Sequence, residues 1–247
     1  MSVAGTTGGG SPSIGVDDYW WYAARARLLE EALGPFVPAG LRVLDVGSAD
    51  APSAAWFHER AAQRVAVDLD PRGLTTDGVC ASALALPFAD ETFDAVAAFD
   101  VIEHLDPESV AVRELHRVLR PGGVLVASVP AYQWAWSDHD VANGHHRRYT
   151  RARIVDALTA GGFTVARATY AFTATFPMFA AERAVRRLRG ARTSQAADIV
   201  AVPSLPRPVQ SALLGLCRLD ERLLRSRDLP WGSSVFVAAT RGAATRL

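Results

Sequence analysis

"VLDVGSAD", residues 43–50, followed by "VAVDLD", residues 65–70, decides how this chain folds. The first run is a short, β-rich, nearly continuous apolar stretch ending at Gly47, which suits a buried parallel strand. A glycine there permits a tight turn that brings the backbone close to a ligand, with the N-terminus of the next helix facing it. "PSAAWFHERAAQ", residues 52–63, supplies that helix, with Pro52 at an N1-like position. The second strand, "RVAVDLD" over 64–70, carries Asp68 near its end, placed to accept hydrogen bonds from ribose hydroxyls. Strand, turn, helix, strand and acid form a nucleotide-site pattern, which a dinucleotide dehydrogenase would share.

The same alternation continues outward. "GVCASA" (78–83), "FDAVAAFDV" (93–101), "GGVLVASVP" (122–130), "FTVARATY" (163–170) and "SSVFVAAT" (233–240) read as five further strands. Between them, residues 106–120 read as a helix capped by Asp106. Residues 150–162 read as another, capped by Thr150 and stopped by Gly161 and Gly162. "DDYWWYAARARLLEEALG", residues 17–34, opens the pattern with a helix whose apolar stripe includes Leu28, Leu29 and Leu33. Strands alternating with helices at this spacing predict βαβ units and right-handed crossovers. The expected fold is α/β: a doubly wound, mostly parallel seven-stranded sheet with an N-terminal helix. A helical cap is inserted before the last strand. The expected division is a flexible leader over 1–16, a main domain over 17–170 and 232–242, and the cap over 171–231.

Composition narrows the function classes. Of 247 residues 49% are hydrophobic, enough for a full core, and the formal net charge is zero. No bulk field therefore favours nucleic acid, so no nucleic-acid partner is expected. Every basic residue is arginine, which rules out Schiff-base or P-loop lysine chemistry. Cys80 and Cys217 give neither a disulfide framework nor a zinc pattern. The leader "MSVAGTTGGGSPS" lacks a signal-peptide apolar core, and no apolar run spans a bilayer, so a cytoplasmic location is expected.

"ALALPFADETFDAVAAFDVIEHL" (83–105) followed by "ELHRVLRPGGVLVASVP" (114–130) resembles the class I S-adenosylmethionine-dependent methyltransferases. The likeness is to the branch with LPF, FD, EHL and RVLRPGG motifs, and it runs from about residue 41 to 130. The two ends, "WWYAARARLL" and "WSDHD…GHHRRYT", resemble a bacterial subgroup mostly of unassigned substrate. The resemblance implies a Rossmann-like methyltransferase fold with S-adenosylmethionine as cofactor. It further implies that Asp45 holds the methionine ammonium, directly or through water, and that Gly47, followed by Ser48, lets the chain pass close to the methionine part. Asp68 then binds the ribose diol, Leu69 packs on adenine, and Phe99 and Asp100 border the methyl. Two departures from the family pattern matter. The glycine-rich turn reads Gly47-Ser48-Ala49-Asp50-Ala51, and the acid that usually contacts the adenine amino group is replaced by Ser82, followed by Ala83. A methyl at each alanine forbids routine positive φ and narrows the gap to the ligand. A non-catalytic S-adenosylmethionine-binding protein that retains the fold is therefore the alternative reading.

The densest polar run is "WSDHDVANGHHRRYT", residues 136–150, placed just after the fifth strand at the sheet edge where crevices of this architecture lie. It reads as an active-site wall. His139, held by Asp138 or Asp140, is the first candidate for a base that takes an acceptor hydroxyl's proton, and His145 and His146 follow. In small-RNA and ubiquinone O-methyltransferases an acid-x-x-Glu-His run plus a later histidine binds a divalent ion, and "DVIEH" offers Asp100, Glu103 and His104. Most relatives with EHL hold no metal, so no metal is expected. The cap sets Phe176, Met178 and Phe179 before Arg183, Arg186, Arg187, Arg189 and Arg192, and follows with a leucine-rich face over 205–224. Such a surface suits a small-molecule or lipid-linked acceptor, methylated at oxygen, and peripheral membrane contact; sheet cover or a homodimer contact is the other reading.

Overall fold

Each expected strand and helix has a counterpart in the computed structural model, which describes residues 20–47, 51–71, 74, 78–188 and 205–242, with only the backbone of Ala51 and Pro52. The leader, Ser48, Ala49, Asp50 and the middle of the cap, residues 189–204, lie outside the described residues. The elements are α1 (Trp20–Leu33), β1 (Leu41–Val46), α2 (Ala51–Glu59), β2 (Ala61–Asp68), β3 (Val79–Cys80), β4 (Phe93–Phe99) and α3 (Glu108–Val118). They continue with β5 (Leu119–Pro130), α4 (Asp138–Ala142), α5 (Arg151–Ala160), β6 (Phe163–Ala171), α6 (Phe176–Leu188), α7 (Arg207–Leu224) and β7 (Ser234–Arg241).

The seven strands form one sheet in the order β3-β2-β1-β4-β5-β7-β6. β1 through β5 run parallel, while β7 is antiparallel to both β5 and β6. The connection from β1 steps one way across the sheet and that from β4 steps the other. Right-handed crossovers then put α2 and α3 on opposite faces. Both faces of the central strands are covered, so Val43, Leu44, Val96, Leu125, Val126, Val235 and Val237 are fully buried. This is why those strands read as apolar runs rather than as alternating ones.

Two boundaries differ from the sequence expectation. The helix expected to reach residue 63 stops at Glu59, because Ala61 and Gln63 already pair with Leu41 and Arg42 of β1. Likewise β5 starts at Leu119, opposite Phe93, ahead of the Gly122–Gly123 pair. α3 is correspondingly short and has Pro107 rather than Asp106 at its N-cap. Thr150 does cap α5, accepting from Arg153 N at 3.2 Å.

The inserted segment behaves as two different pieces. α7 packs along α1 and buries Leu213, Cys217 and Leu224. Its Asp220, 1% exposed, accepts from Thr173 N at 2.6 Å and Ala174 N at 3.2 Å, fixing the turn after β6. Arg167 of β6 donates to Leu224 O at 2.7 Å and to Ala32 O at 2.9 Å, tying α7 and α1 to the sheet. α6 buries no residue and exposes Met178, Val185 and Leu188.

Candidate active site

The strand order reverses between β1 and β4, and the crevice of such a sheet opens at the carboxyl ends of those strands. Gly47 closes β1 there with φ +75°, and a Cβ on it would stand 2.4 Å from Val101 Cγ2. Both the left-handed backbone and the contact demand glycine. At the end of β2, one Asp68 oxygen accepts from Asp70 N at 2.9 Å, and Leu69 is left 66% exposed beside it. Ser82 turns inward to its own loop, its hydroxyl accepting from Leu84 N at 3.1 Å, and Ala83 and Phe99 are buried.

Asp45 is 2% exposed and its Oδ2 lies 2.7 Å from His58 Nε2 and 3.6 Å from Arg64 Nη2. It anchors α2 and β2 to β1. Asp100, just past β4, sits at φ +53°, a conformation that costs a non-glycine residue roughly 1–3 kcal/mol and that clusters at ligand sites. It is held by Ser128 Oγ, which donates at 2.8 Å, and by Arg25 Nη2 at 3.0 Å. Arg25 comes from α1, is 1% exposed, and lies over the Trp21 ring at 5.3 Å. Sequence reasoning missed this arginine. Its one trace was the helical spacing of Trp21 and Arg25, which places them on one face.

The loop after β5 folds against that centre. Tyr132, at φ +61°, stacks on Trp134 and Tyr170 with ring centroids 5.8 and 5.3 Å apart, and Phe176 of α6 lies 5.5 Å away. Tyr149 is fully buried and its hydroxyl donates to Glu108. Ser137 and Asp140 form a capping box at the start of α4. Asp140 has no exposed surface and is the hub of the loop. It accepts from Arg148 Nε at 2.6 Å and Nη2 at 3.1 Å, lies 2.9 Å from His145 Nδ1, and accepts from Ser137 N at 2.8 Å. Burial alone raises its carboxyl, but the bonds from His145 and Arg148 and the arginine charge outweigh that and hold it below the usual carboxylate range. Arg147 donates to Leu105 O at 2.7 Å and pairs with Asp106 at 2.5 Å, and His146 N donates to Glu103 O at 2.8 Å, so the loop is laced to the EHL turn.

The three sequence-predicted histidines are thereby separated. His139 lies on α4, half-buried, with its carbonyl accepting from Asn143. His145 is turned to His104, their ring centroids 4.5 Å apart at 89°. Glu103 is fully buried, and burial followed by the charge of Asp100 raises its carboxyl well above the ordinary value. Burial, then the neighbouring His145, lowers His104 to about 4.

Residues 44–127 match the family model described as a methyltransferase domain. A demethylmenaquinone methyltransferase from Mycolicibacterium paratuberculosis is 36% identical over 120 residues, covering 46% of this chain and 49% of that protein. The chain spans about half the length of the first curated relatives it matches. Among solved structures, the [4+2]-cyclase SpnF aligns over 89% of this chain and 81% of its own at a TM-score of 0.55 and 22% identity. The 1,6-didemethyltoxoflavin-N1-methyltransferase of Burkholderia thailandensis, solved with bound 1,6-didemethyltoxoflavin and S-adenosylhomocysteine, aligns over 90% of this chain and 79% of its own at a TM-score of 0.50 and 15% identity. The fold class drawn from the motifs is borne out, and the methyltransferase resemblance is matched over residues 44–127.

Proposed function

We infer, for a chain whose residues 44–127 belong to the methyltransferase-domain family, that it transfers a methyl group from S-adenosylmethionine to a small-molecule or lipid-linked acceptor, at oxygen. The observation that carries the reading is the convergence of Gly47, Asp68 with Leu69, and Phe99 with Asp100 at the reversal of the sheet. The residues present fit the donor. Leu69 offers an exposed apolar face to a purine, and Asp68 beside it offers carboxylate oxygens to a diol. The bound sulfonium supplies an electrophilic carbon, so this chain's task is to bind, align and keep water out. The strained Asp100, fixed by Arg25 and Ser128, sets the floor, and the aromatic wall from Tyr132 to Phe176 shields the acceptor. His139 and His146 are assigned the base role for an acceptor hydroxyl, while His145 is committed to Asp140 and the Glu103 side.

Calorimetry with S-adenosylmethionine, S-adenosylhomocysteine and NAD tests the assignment. Both sulfur ligands are expected to bind, NAD not, and Asp68→Ala to lose most of the affinity. Tight NAD binding, or unchanged affinity in Asp68→Ala, overturns it. His139→Ala is expected to leave donor affinity intact and lower turnover by ~10²–10⁴. Donor binding without turnover on any acceptor would favour the non-catalytic reading.

A further inference from the structure

Glu103, His104 and His145 bring one donor atom each to within 4.8 Å of one another. Glu103 carries the argument. It is fully buried, and neither of its carboxylate oxygens has a hydrogen-bond partner among the described residues. A buried carboxyl is ordinarily paired, and one that no protein group pairs in a native fold calls for an occupant from outside the chain. The groups nearest in the cluster are two imidazoles, and two imidazole nitrogens beside a carboxyl oxygen share one natural occupant, a cation.

We propose that Glu103, His104 and His145 form a binding site for a divalent transition-metal ion of the zinc class. Two nitrogens and one oxygen are the donor set of open, three-ligand zinc sites, whereas calcium and magnesium prefer oxygen throughout. Ligands about 2.1 Å from zinc at tetrahedral angles stand about 3.4 Å apart, so the cluster closes by little more than an ångström on binding. Side-chain rotation covers that distance.

The surroundings are built for the role. Asp140 lies 2.9 Å from His145 Nδ1, which fixes that ring's orientation and leaves its Nε2 for a ligand bond. His146 N donates to Glu103 O at 2.8 Å, pinning the loop that carries His145 onto the turn that carries Glu103 and His104. Asp100 is outside the cluster, engaged by Arg25 and Ser128. The ion therefore has three protein ligands and open positions for water or an acceptor oxygen. The site stands without the methyl-transfer reading; only the role at an acceptor oxygen rests on it.

The chelator-treated, dialysed protein titrated with Zn²⁺ alone by calorimetry tests the site, with Mn²⁺ and Mg²⁺ as comparisons and no S-adenosylmethionine present. One equivalent of Zn²⁺ is expected to bind with a rise in Tm, and Mg²⁺ to bind at least tenfold more weakly. Glu103→Gln and His145→Gln should each lose affinity by a hundredfold or more. Asp140→Asn, which loosens His145, should lose about 10–100-fold. The absence of saturable one-equivalent binding, or a Glu103→Gln variant that binds as the parent does, overturns the site. Circular dichroism of each variant identifies those that fail to fold. If Glu103→Gln is among them, His145→Gln, on the more accessible loop, decides. Donor binding to Asp68→Ala is a separate titration, so failure of either reading is seen apart from the other.

Discussion

Replacing Asp140 by alanine is the most demanding perturbation of the loop. Asp140 has no exposed surface, and its partner Arg148 is 6% exposed and held through two nitrogens at 2.6 and 3.1 Å. Removing the carboxylate leaves a guanidinium buried without its counter-charge, which costs about 3–5 kcal/mol. It also removes the capping-box contacts to Ser137 N at 2.8 Å and Ser137 Oγ at 3.1 Å, worth about 1 kcal/mol more. The expected loss is about 4–6 kcal/mol if the loop stays folded, a large share of a typical domain's 5–15. At a urea slope of about 2–3 kcal/mol per molar, the midpoint falls by about 2 M. Should the loop instead release alone, Trp134 and Trp136 fluorescence shifts at low denaturant while the main transition moves less. Adding Arg148→Met removes the orphaned charge, so the double variant should be more stable than Asp140→Ala alone. The reasoning is refuted if Asp140→Ala costs under about 1.5 kcal/mol with unchanged tryptophan emission, or if the two substitutions simply add.

Further predictions rest on other parts of the molecule. Gly47→Ala should destabilise by about 1–2 kcal/mol from its φ of +75° alone, with more from the Val101 contact, and should abolish donor binding in calorimetry. Adding Val101→Ala should return part of the stability and little of the binding. Cys80 is exposed and Cys217 is buried, its thiol pushed up to about 12 by burial and then by Asp220 and Glu221. Mass spectrometry after brief iodoacetamide treatment should show one alkylated cysteine in native protein and two in urea. The hydrogen bond from Arg117 holds the Glu114 carboxyl below its ordinary value. Its contribution is therefore full above the unfolded carboxyl's range and fades as pH falls toward the folded value. Glu114→Gln should flatten the acid limb of a stability-against-pH curve. Finally, α6 exposes Met178, Val185 and Leu188 alongside Arg186. If α6 rests on anionic lipid, the parent floats with such vesicles and Arg186→Ala with Arg187→Ala does not; a parent that stays in the soluble fraction leaves α6 a packing element.

The sequence by itself determined the sheet, because strand, turn and helix signals act over a few residues. Gly47 at a strand end, Asp68 one strand later and Thr150 before a helix each declare a backbone conformation that their neighbours enforce. The pattern of apolar runs fixed which strands are buried on both faces. What it left open were meetings between side chains far apart in the chain. Seven acids and bases crowd residues 138–148, and nothing in their spacing says that Asp140 takes Arg148 and His145. Capping at Ser137 and the anchoring of Arg147 and His146 on the EHL turn decide it. Arg25 meets Asp100 across 75 positions only because α1 lies between α2 and α7. The cap read as two amphipathic helical stretches with one shared role, yet Asp220 and Arg167 draw α7 onto the body while α6 keeps to the crevice side. Glu103 shows the limit most plainly: its identity was legible, but an unpartnered carboxylate is a property of everything packed around it, and only the tertiary structure assembles that surrounding.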